Sequence, residues 1–198
     1  MYFTVPNMLT LFRIALIPVL GLAFLLPQPW ANWLAVAIFG VAGITDWFDG
    51  YLARRLGQTS AFGAFLDPVA DKLIVAVALV ALLTYNNTVA FAVPAAVIIG
   101  REIAVSALRE WMAELGRRAS VAVSMVGKIK TTAQMVAILV LLYGRDIFGL
   151  PLQQIGLWLL YVAAILTLYS AILYLKAAWK VLRQEAAPVR REQDLEDL

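Results

Sequence analysis

Residues 14–45 read IALIPVLGLAFLLPQPWANWLAVAIFGVAGIT and contain no charged side chain. This run is longer than the roughly 20 apolar residues that one helix needs to cross ~30 Å of hydrocarbon. Pro27-Gln28-Pro29 interrupts the run, and proline inside an apolar pattern ends a helix near the preceding residue. The stretch therefore predicts two successive membrane-spanning helices, 5–26 and 30–52, joined by a short turn.

The same pattern continues along the chain. Two more uncharged runs occupy 73–100 and 147–175, and Asn86-Asn87 breaks the first of them. The further helices are expected at 68–86, 88–113, 124–144 and 154–179. Lipid leaves no hydrogen-bond partner for an open sheet edge, so a closed bundle of helices is the architecture that fits. The sequence thus predicts an all-α polytopic membrane protein with six transmembrane helices.

The composition supports a membrane protein and restricts its chemistry. Of 198 residues, 63% are hydrophobic and 15% are charged, whereas soluble domains are about 45–50% apolar and about 25% charged. Cysteine and histidine are both absent, which excludes disulfide scaffolds, thiolate catalysis and the commonest general base. Any reaction must use carboxylates, cations, hydroxyls or backbone groups.

The distribution of lysine and arginine predicts the orientation in the membrane. The turns expected on one side are 27–29, 86–87 and 145–153. They hold a single cation, Arg145, while the other basic residues cluster on or near the opposite side. Because cytoplasmic loops are enriched in lysine and arginine, both termini are expected in the cytoplasm. The first residues lack the basic segment of a cleavable signal peptide. We expect a transmembrane domain at 1–180 and a polar cytoplasmic tail at 181–198.

Four aspartates flank one cytoplasmic turn. Asp46 and Asp49 are spaced i, i+3 at the end of the second predicted helix, and Asp67 and Asp71 are spaced i, i+4 at the start of the third. Each pair shares one helical face. Because the turn between the helices, 53–67, is short, the two pairs are expected to converge.

Such a cluster of carboxylates needs cations beside it. Two divalent ions would balance four negative charges, and ligation by oxygen alone selects Mg²⁺, Mn²⁺ or Ca²⁺. Paired ions of this kind assist displacement at phosphorus. The alternative is a set of ordinary salt bridges with Arg54, Arg55 and Lys72, but three cations do not explain two matched pairs.

The residues between the two pairs favour a phosphate ligand. Gly50 and Ala53 are small enough for a ligand to approach the backbone. Gly63 removes a side chain four residues before Asp67. Arg54 follows on the same side, and arginine holds phosphate or pyrophosphate with paired hydrogen bonds.

The motif Asp46-x2-Asp49-Gly50-x2-Ala53-Arg54-x8-Gly63-x3-Asp67-x3-Asp71 resembles the CDP-alcohol phosphotransferase signature at every fixed position. Similarity extends over 6–13, 101–103, 106–111 and 127–134. The resemblance implies six transmembrane helices, a homodimer, a divalent metal and transfer of a phosphate-linked group from a CDP-linked donor to an alcohol. The wider chain is similar to the bacterial branch that uses CDP-diacylglycerol and sn-glycerol 3-phosphate and releases CMP.

This resemblance and the residue pattern together assign roles. Asp46, Asp49, Asp67 and Asp71 are expected to bind two Mg²⁺ or Mn²⁺ ions, and Asp71 also to accept the proton of the attacking hydroxyl. The residues expected near CDP-diacylglycerol are Thr45, Asp46, Gly50, Ala53, Arg54, Gly63, Asn7 and Thr10. Asn7 and Thr10, preceded by Pro6, are also typical of a helix N-cap.

Basic residues are the candidates for binding the acceptor, which is a phosphate dianion. They are Arg101, Arg109, Arg117, Arg118, Lys128 and Lys130. Positive-inside anchoring is the alternative for Arg117 and Arg118, and snorkelling is the alternative for Lys128 and Lys130. Arg101 and Glu102 lie near the middle of the fourth helix, where charges face the bundle interior, so they either form the acceptor pocket or hold helices together as an ion pair.

Two other functions remain open from the sequence. A related transferase could make cardiolipin, phosphatidylserine or phosphatidylinositol phosphate with the same core motif. A divalent-cation transporter would place its ligands near the bilayer midplane, whereas these aspartates lie at helix ends. The expected surroundings are the bacterial cytoplasmic (inner) membrane, with the active site facing the cytoplasm. The expected partners are the two substrates, lipid and a second copy of the chain, with no nucleic acid.

Overall fold

The computed structural model describes residues 4–56, 60–114 and 125–185. The described residues form six helices, so the all-α prediction is confirmed. The helices are α1 (Val5–Ala23), α2 (Trp30–Leu56), α3 (Ala61–Tyr85), α4 (Val89–Glu114), α5 (Met125–Tyr143) and α6 (Leu152–Glu185). Five of the six begin within two residues of the positions that the sequence predicts.

The start of α3 is the main error of the sequence prediction. The helix begins at Ala61 rather than at 68, because Ser60 acts as its N-cap and accepts a hydrogen bond from the Gly63 N–H at 2.9 Å. Pro68 therefore lies inside the helix instead of opening it. The predicted turn at 53–67 shrinks to the connection between Leu56 and Ala61, and Asp67 belongs to the helix.

The end of α6 also differs from the prediction. The helix continues to Glu185 and so passes the boundary at residue 180 that separated the membrane domain from the tail. The remainder of the predicted tail, 186–198, lies outside the described residues.

The helices pack around one apolar core. Helix α1 lies against α2 and α3, α5 lies against α2 and α6, and α4 packs on α6 and α3. Leu20, Phe39, Leu79, Ile98 and Ile138 are fully buried where these helices meet. Helices α2 and α3 therefore each contact both α1 and α5.

The outer surface is that of a membrane protein. Within the described residues, four helices are long and apolar enough to cross a membrane. These segments are Val5–Ala23, Trp30–Leu52, Val89–Glu114 and Leu152–Trp179, and the apolar part of α5, Ile129–Tyr143, is shorter. Large apolar side chains such as Leu25, Trp158 and Ile165 are well exposed, which soluble monomers avoid over such an area.

Candidate active site

Two helices carry the aspartates, and a third brings them together. Asp46 and Asp49 lie on α2, and Asp67 and Asp71 lie on α3. Helix α1 packs against both and contributes Arg13 to the cluster. The predicted convergence of the two pairs is therefore seen, but it forms around a residue to which the sequence assigned no role.

Arg13 is the cation at the centre of the cluster. Its side chain is 1% exposed. Its Nη1 donates to Asp46 Oδ1 at 2.9 Å and also to Asp71 Oδ1, while its Nη2 donates to Asp49 Oδ2. Asp49 is almost fully buried, whereas the Asp46 and Asp71 side chains are about half exposed. One guanidinium among four carboxylates leaves a formal charge of −3.

The first turns of α1 hold the start of α3. The Thr10 hydroxyl donates to Asp67 Oδ1 at 2.5 Å and lies 3.1 Å from the Pro6 carbonyl oxygen. The buried Asn7 amide oxygen accepts a hydrogen bond from the Ser60 hydroxyl at 2.9 Å. These contacts fix where Asp67 stands relative to α1.

The N-cap interpretation of Asn7 and Thr10 is wrong. The N-cap residue of α1 is Thr4, whose side chain makes no capping hydrogen bond. Asn7 and Thr10 lie within the helix and face α3 instead. Their side chains serve the contact between helices, which a single-helix capping pattern cannot reveal.

Gly63 lies at the closest approach of α1 and α3. A Cβ at this position would stand 2.5 Å from Asn7 Oδ1 and 3.2 Å from Ser60 Oγ. An added side chain at this position would therefore have to displace the buried Asn7 amide, which accepts the Ser60 hydrogen bond. A role of Gly63 in nucleotide binding stays a prediction.

The carboxylates of the cluster are the ligands that a hard metal ion prefers, but their side chains are not arranged to coordinate one directly. Among the residues that the structure describes, no three acidic side chains form a ready metal-binding group. Arg13 occupies carboxylate oxygens that a metal ion would use. The donors nevertheless fit a hard divalent cation, since all are carboxylate oxygens with uncompensated charge. Metal ligation by the four aspartates stays a prediction.

A cavity of about 480 Å³ opens beside the aspartates. Its size falls within the range of small-molecule sites. Its lining includes Asp46, Asp67 and Asp71 from α2 and α3, called here the acidic end, and Glu102, Arg109 and Lys130 from α4 and α5, called here the basic end. Ile74, Val75 and Gln134 also line the cavity and are called here its floor. The cavity thus brings an acidic group and a mainly basic group of side chains to one space.

An ion-pair network forms the basic end. Lys130 on α5 donates to Glu102 Oε1 on α4, and Arg101 Nη1 donates to the same oxygen at 3.0 Å. Arg109 lies over the Tyr174 ring, with 5.6 Å from its Cζ to the ring centroid. The lining residues Arg109, Lys130 and Glu102 carry a formal charge of +1, and the whole network, with Arg101, carries +2.

The predicted acceptor residues are therefore not all equivalent. Arg109 and Lys130 line the cavity, whereas Arg101 is not among its lining residues and its Nη2 donates to Ser170 Oγ on α6 at 2.8 Å. Arg117 and Arg118 lie outside the described residues, and so does the side chain of Lys128.

The predicted donor-binding residues of α2 lie along the last turns of the helix. The Thr45 hydroxyl donates within the helix, 2.9 Å from the Val41 and Ala42 carbonyl oxygens, and Thr45 is not among the lining residues. Gly50 follows Asp49 in α2. The backbone at 53–54 is helical, but the two side chains there lie outside the described part of the chain, so their roles stay predictions.

A second cavity, of about 380 Å³, adjoins the first between α2 and α5. Gly43, Thr131 and Met135 line both cavities. The rest of its lining is mostly apolar, and the exposed Ile44 and Trp47 show that it opens on the outer surface of the bundle. An apolar groove therefore connects the polar cavity with the part of the surface that would face lipid.

Sequence reasoning missed several polar residues of this site, among them Arg13 and Gln134. Arg13 is the first cation of the chain and lies inside an apolar segment, where a charge usually has a specific partner. Gln134 is 5% exposed and carried no charge to attract notice. Helix α1 carries Arg13 and helix α5 carries Gln134, and each packs against α2 and α3. Only this packing shows that both residues belong to the cavity.

Comparison with known proteins identifies the family of this chain. The family model for CDP-alcohol phosphatidyltransferase matches residues 3–169. Proteins named CDP-diacylglycerol–glycerol-3-phosphate 3-phosphatidyltransferase from Shigella flexneri serotype 5b (strain 8401) and Escherichia coli (strain K12) are each 54% identical to this chain, and one from Pectobacterium atrosepticum is 56% identical. Each alignment covers 90% of this chain and 96% of the relative. The chain therefore belongs to the CDP-alcohol phosphatidyltransferase family.

Proposed function

We propose that this protein transfers the phosphatidyl group from CDP-diacylglycerol to sn-glycerol 3-phosphate, forming phosphatidylglycerophosphate and CMP. The observation that carries this proposal is one cavity lined by Asp46, Asp67 and Asp71 and also by Glu102, Arg109 and Lys130, a second group whose formal charge is positive. The acidic end suits a diphosphate bound through metal ions, and the basic end suits an anionic alcohol. The names of the 54–56% identical relatives support the same reaction.

The reaction is a single displacement at phosphorus. The glycerol hydroxyl oxygen forms a bond to the β-phosphorus, which carries the diacylglycerol. The bond between that phosphorus and the oxygen bridging to the α-phosphate breaks, and CMP leaves with the electron pair. No covalent enzyme intermediate is required. The hydroxyl proton passes to a carboxylate oxygen of Asp71, whose half-exposed side chain lines the cavity.

The aspartates hold the metal ions of the reaction. Asp46, Asp49, Asp67 and Asp71 bind two Mg²⁺ or Mn²⁺ ions, which supply electrostatic stabilisation of the charge on the diphosphate and on departing CMP. Thr10 and Arg13 orient these carboxylates through their hydrogen bonds. Little proton transfer is needed early in a loose transition state, so a carboxylate is a sufficient base.

The two substrates enter from different surroundings. CDP-diacylglycerol places its acyl chains toward the apolar groove between α2 and α5 and its diphosphate at the aspartates. The nucleotide of CDP-diacylglycerol is bound by a set of residues from α1, α2 and α3. They are Asn7, Thr10, Thr45, Gly50, Ala53, Arg54 and Gly63. Glycerol 3-phosphate enters from water, and the cavity-lining residues Lys130 and Arg109 bind its phosphate. Arg101, Lys128, Arg117 and Arg118 are the other basic residues proposed to bind this acceptor.

We propose that all six helices span the bacterial cytoplasmic membrane, with both termini and the active site on the cytoplasmic side. The chain lacks cysteine, so single introduced cysteines report the orientation. In intact cells, a membrane-impermeant maleimide should label Phe148→Cys and should label Arg183→Cys only after permeabilisation. The reverse pattern would contradict this orientation.

We also propose that the protein is a homodimer. Measurement of its mass in detergent tests this, and a monomeric mass would contradict it.

Two alternatives define the test of function. A relative with another acceptor would use serine, an inositol phosphate or a second phospholipid. A cation transporter would move the ion without consuming CDP-diacylglycerol, whereas here Asp46, Asp49 and Asp71 contact the cation Arg13.

The experiment supplies purified protein with CDP-diacylglycerol, Mg²⁺ and one candidate alcohol at a time, and measures CMP. Rapid release with glycerol 3-phosphate and background release with the other alcohols is the expected result. Release with serine or inositol phosphate but not with glycerol 3-phosphate would overturn the choice of acceptor. Full activity of Asp71→Asn would overturn the assignment of the base.

A further inference from the structure

The floor of the cavity contains a buried amide oxygen that the protein leaves without a hydrogen bond. Gln134 on α5 is 5% exposed and lines the cavity. Among the described residues, its Oε1 has no hydrogen-bond partner. Buried polar atoms in folded proteins are nearly always paired, and an unpaired oxygen in an apolar setting lowers stability. Ile74 and Val75, which line the same cavity, have no side-chain donor.

Gln134 lies on the same helix as Lys130 of the basic end, and this helix also contacts α3, which carries Asp71. It lies one helical turn after Lys130, which places it about 6 Å further along the helix axis. Asp71 on α3 precedes the floor residues Ile74 and Val75 by about one turn, and α3 packs against α5. Gln134 therefore lies about one helical turn beyond Lys130 and lines the same cavity as Asp71.

The acceptor of the proposed reaction has one polar group for each of these places. Its phosphate binds the basic end, and its terminal hydroxyl attacks at the acidic end. A third polar group, the secondary hydroxyl, lies on the carbon between them. A molecule stretched from one end to the other directs this hydroxyl to the floor or to the opening of the cavity. An amide oxygen is the hydrogen-bond acceptor that such a hydroxyl requires.

We propose that Gln134 accepts a hydrogen bond from the secondary hydroxyl of glycerol 3-phosphate and so selects this acceptor. This inference rests on the proposed function and deepens it, because it names the residue that recognises the middle of the acceptor. The contact orients the molecule so that its terminal hydroxyl, rather than its secondary hydroxyl, points toward the aspartates. An acceptor without the secondary hydroxyl leaves the buried oxygen unpaired and is rejected.

The test compares two acceptors, glycerol 3-phosphate and 3-hydroxypropyl phosphate, which lacks only the secondary hydroxyl. The wild-type protein should use glycerol 3-phosphate with a kcat/KM at least about tenfold higher, which is the effect of one unpaired buried group. Equal kcat/KM values for the two acceptors would overturn the proposal without any variant.

The variant Gln134→Met removes the amide while keeping the length of the side chain. It should lower kcat/KM for glycerol 3-phosphate by about tenfold and leave the value for 3-hydroxypropyl phosphate nearly unchanged. The ratio of the two values is independent of how much of the variant folds. Gln154→Met, at the exposed start of α6, is the matched control and should retain the wild-type ratio.

The outcomes separate this inference from the proposed function. If Gln134→Met loses the same factor with both acceptors, or changes neither, Gln134 has no part in recognising the hydroxyl, while the reaction itself stands. If the wild-type protein releases no CMP with glycerol 3-phosphate, the proposed function fails first. If Gln134→Met is inactive with both acceptors, Gln134→Asn is measured instead. The proposal is contradicted if Gln134→Asn loses kcat/KM by the same factor with both acceptors and so keeps the wild-type ratio.

Discussion

Replacing Arg13 tests how the aspartate cluster is held together. The Arg13 side chain is 1% exposed and contacts three carboxylates, of which Asp49 is itself 5% exposed. Arg13→Gln leaves these carboxylates without their buried cation. Removing one partner of a buried ion pair costs about 3–5 kcal/mol, because the remaining charge stays buried and uncompensated. At about 2–4 °C per kcal/mol for a chain of this size, the melting temperature should fall by about 6–20 °C.

The assay is thermal unfolding of the purified protein in detergent, followed by tryptophan fluorescence in the presence of EDTA. The matched control is Arg55→Gln, because Arg55 is an exposed arginine of α2 whose Nη1 donates to the Tyr51 hydroxyl at 2.9 Å. Surface substitutions of this kind change stability by about 0.5 kcal/mol or less. Arg13→Lys should lie between Arg13→Gln and wild type, since an ammonium cannot reproduce the forked contacts of a guanidinium.

Metal ions extend the same experiment to the proposed ligands. Mg²⁺ or Mn²⁺ should raise the melting temperature of Arg13→Gln more than that of wild type, because the variant's carboxylates have lost their internal cation. A loss of stability no larger than that of Arg55→Gln would refute the stabilising role of Arg13. An equal response of both proteins to metal would refute the link between Arg13 and the metal ligands.

Three further predictions concern other parts of the site. Gly63→Ala should lower stability by about 1–3 kcal/mol in the same unfolding assay, because its Cβ would meet the Asn7 side chain; Gly100→Ala, where a Cβ meets nothing within 4 Å, should be neutral or stabilising. Lys130→Met should raise the KM for glycerol 3-phosphate about tenfold or more, because a charge-assisted contact is lost, and should change the KM for CDP-diacylglycerol little. Lys176→Met, at an exposed position, is the control. An equal change in both KM values would contradict the assignment. EDTA should abolish CMP release, and Mg²⁺ or Mn²⁺ should restore it; undiminished turnover in EDTA would rule out the metal requirement.

The fold could be predicted closely because the membrane imposes it. Uncharged runs, proline pairs and the Asn86-Asn87 break set the helix ends to within a few residues at most positions. The start of α3 escaped prediction because Pro68 resembles a helix start, whereas the helix is capped earlier by Ser60. The bond from Ser60 to Asn7 shows that contact with α1 supports this earlier turn.

The site could be predicted only where its residues carry charge. The aspartate spacings predicted a cluster, because acids at the membrane edge are costly and are usually functional. Arg13 was visible as a charge inside an apolar span, but the sequence did not identify its partners on α2 and α3. Gln134 has no charge and no distinctive spacing. Its place in the site depends on how α5 packs against α3, which is a property of the assembled bundle.

The most direct test of the central claim follows the acceptor into the lipid product. Purified protein in detergent receives CDP-diacylglycerol, Mg²⁺ and glycerol 3-phosphate labelled with ³²P, and both CMP and organic-soluble radioactivity are measured over time. We predict one labelled lipid molecule for each CMP released, with neither product formed by Asp71→Asn. Release of CMP without radioactivity in the lipid fraction would contradict transfer to glycerol 3-phosphate.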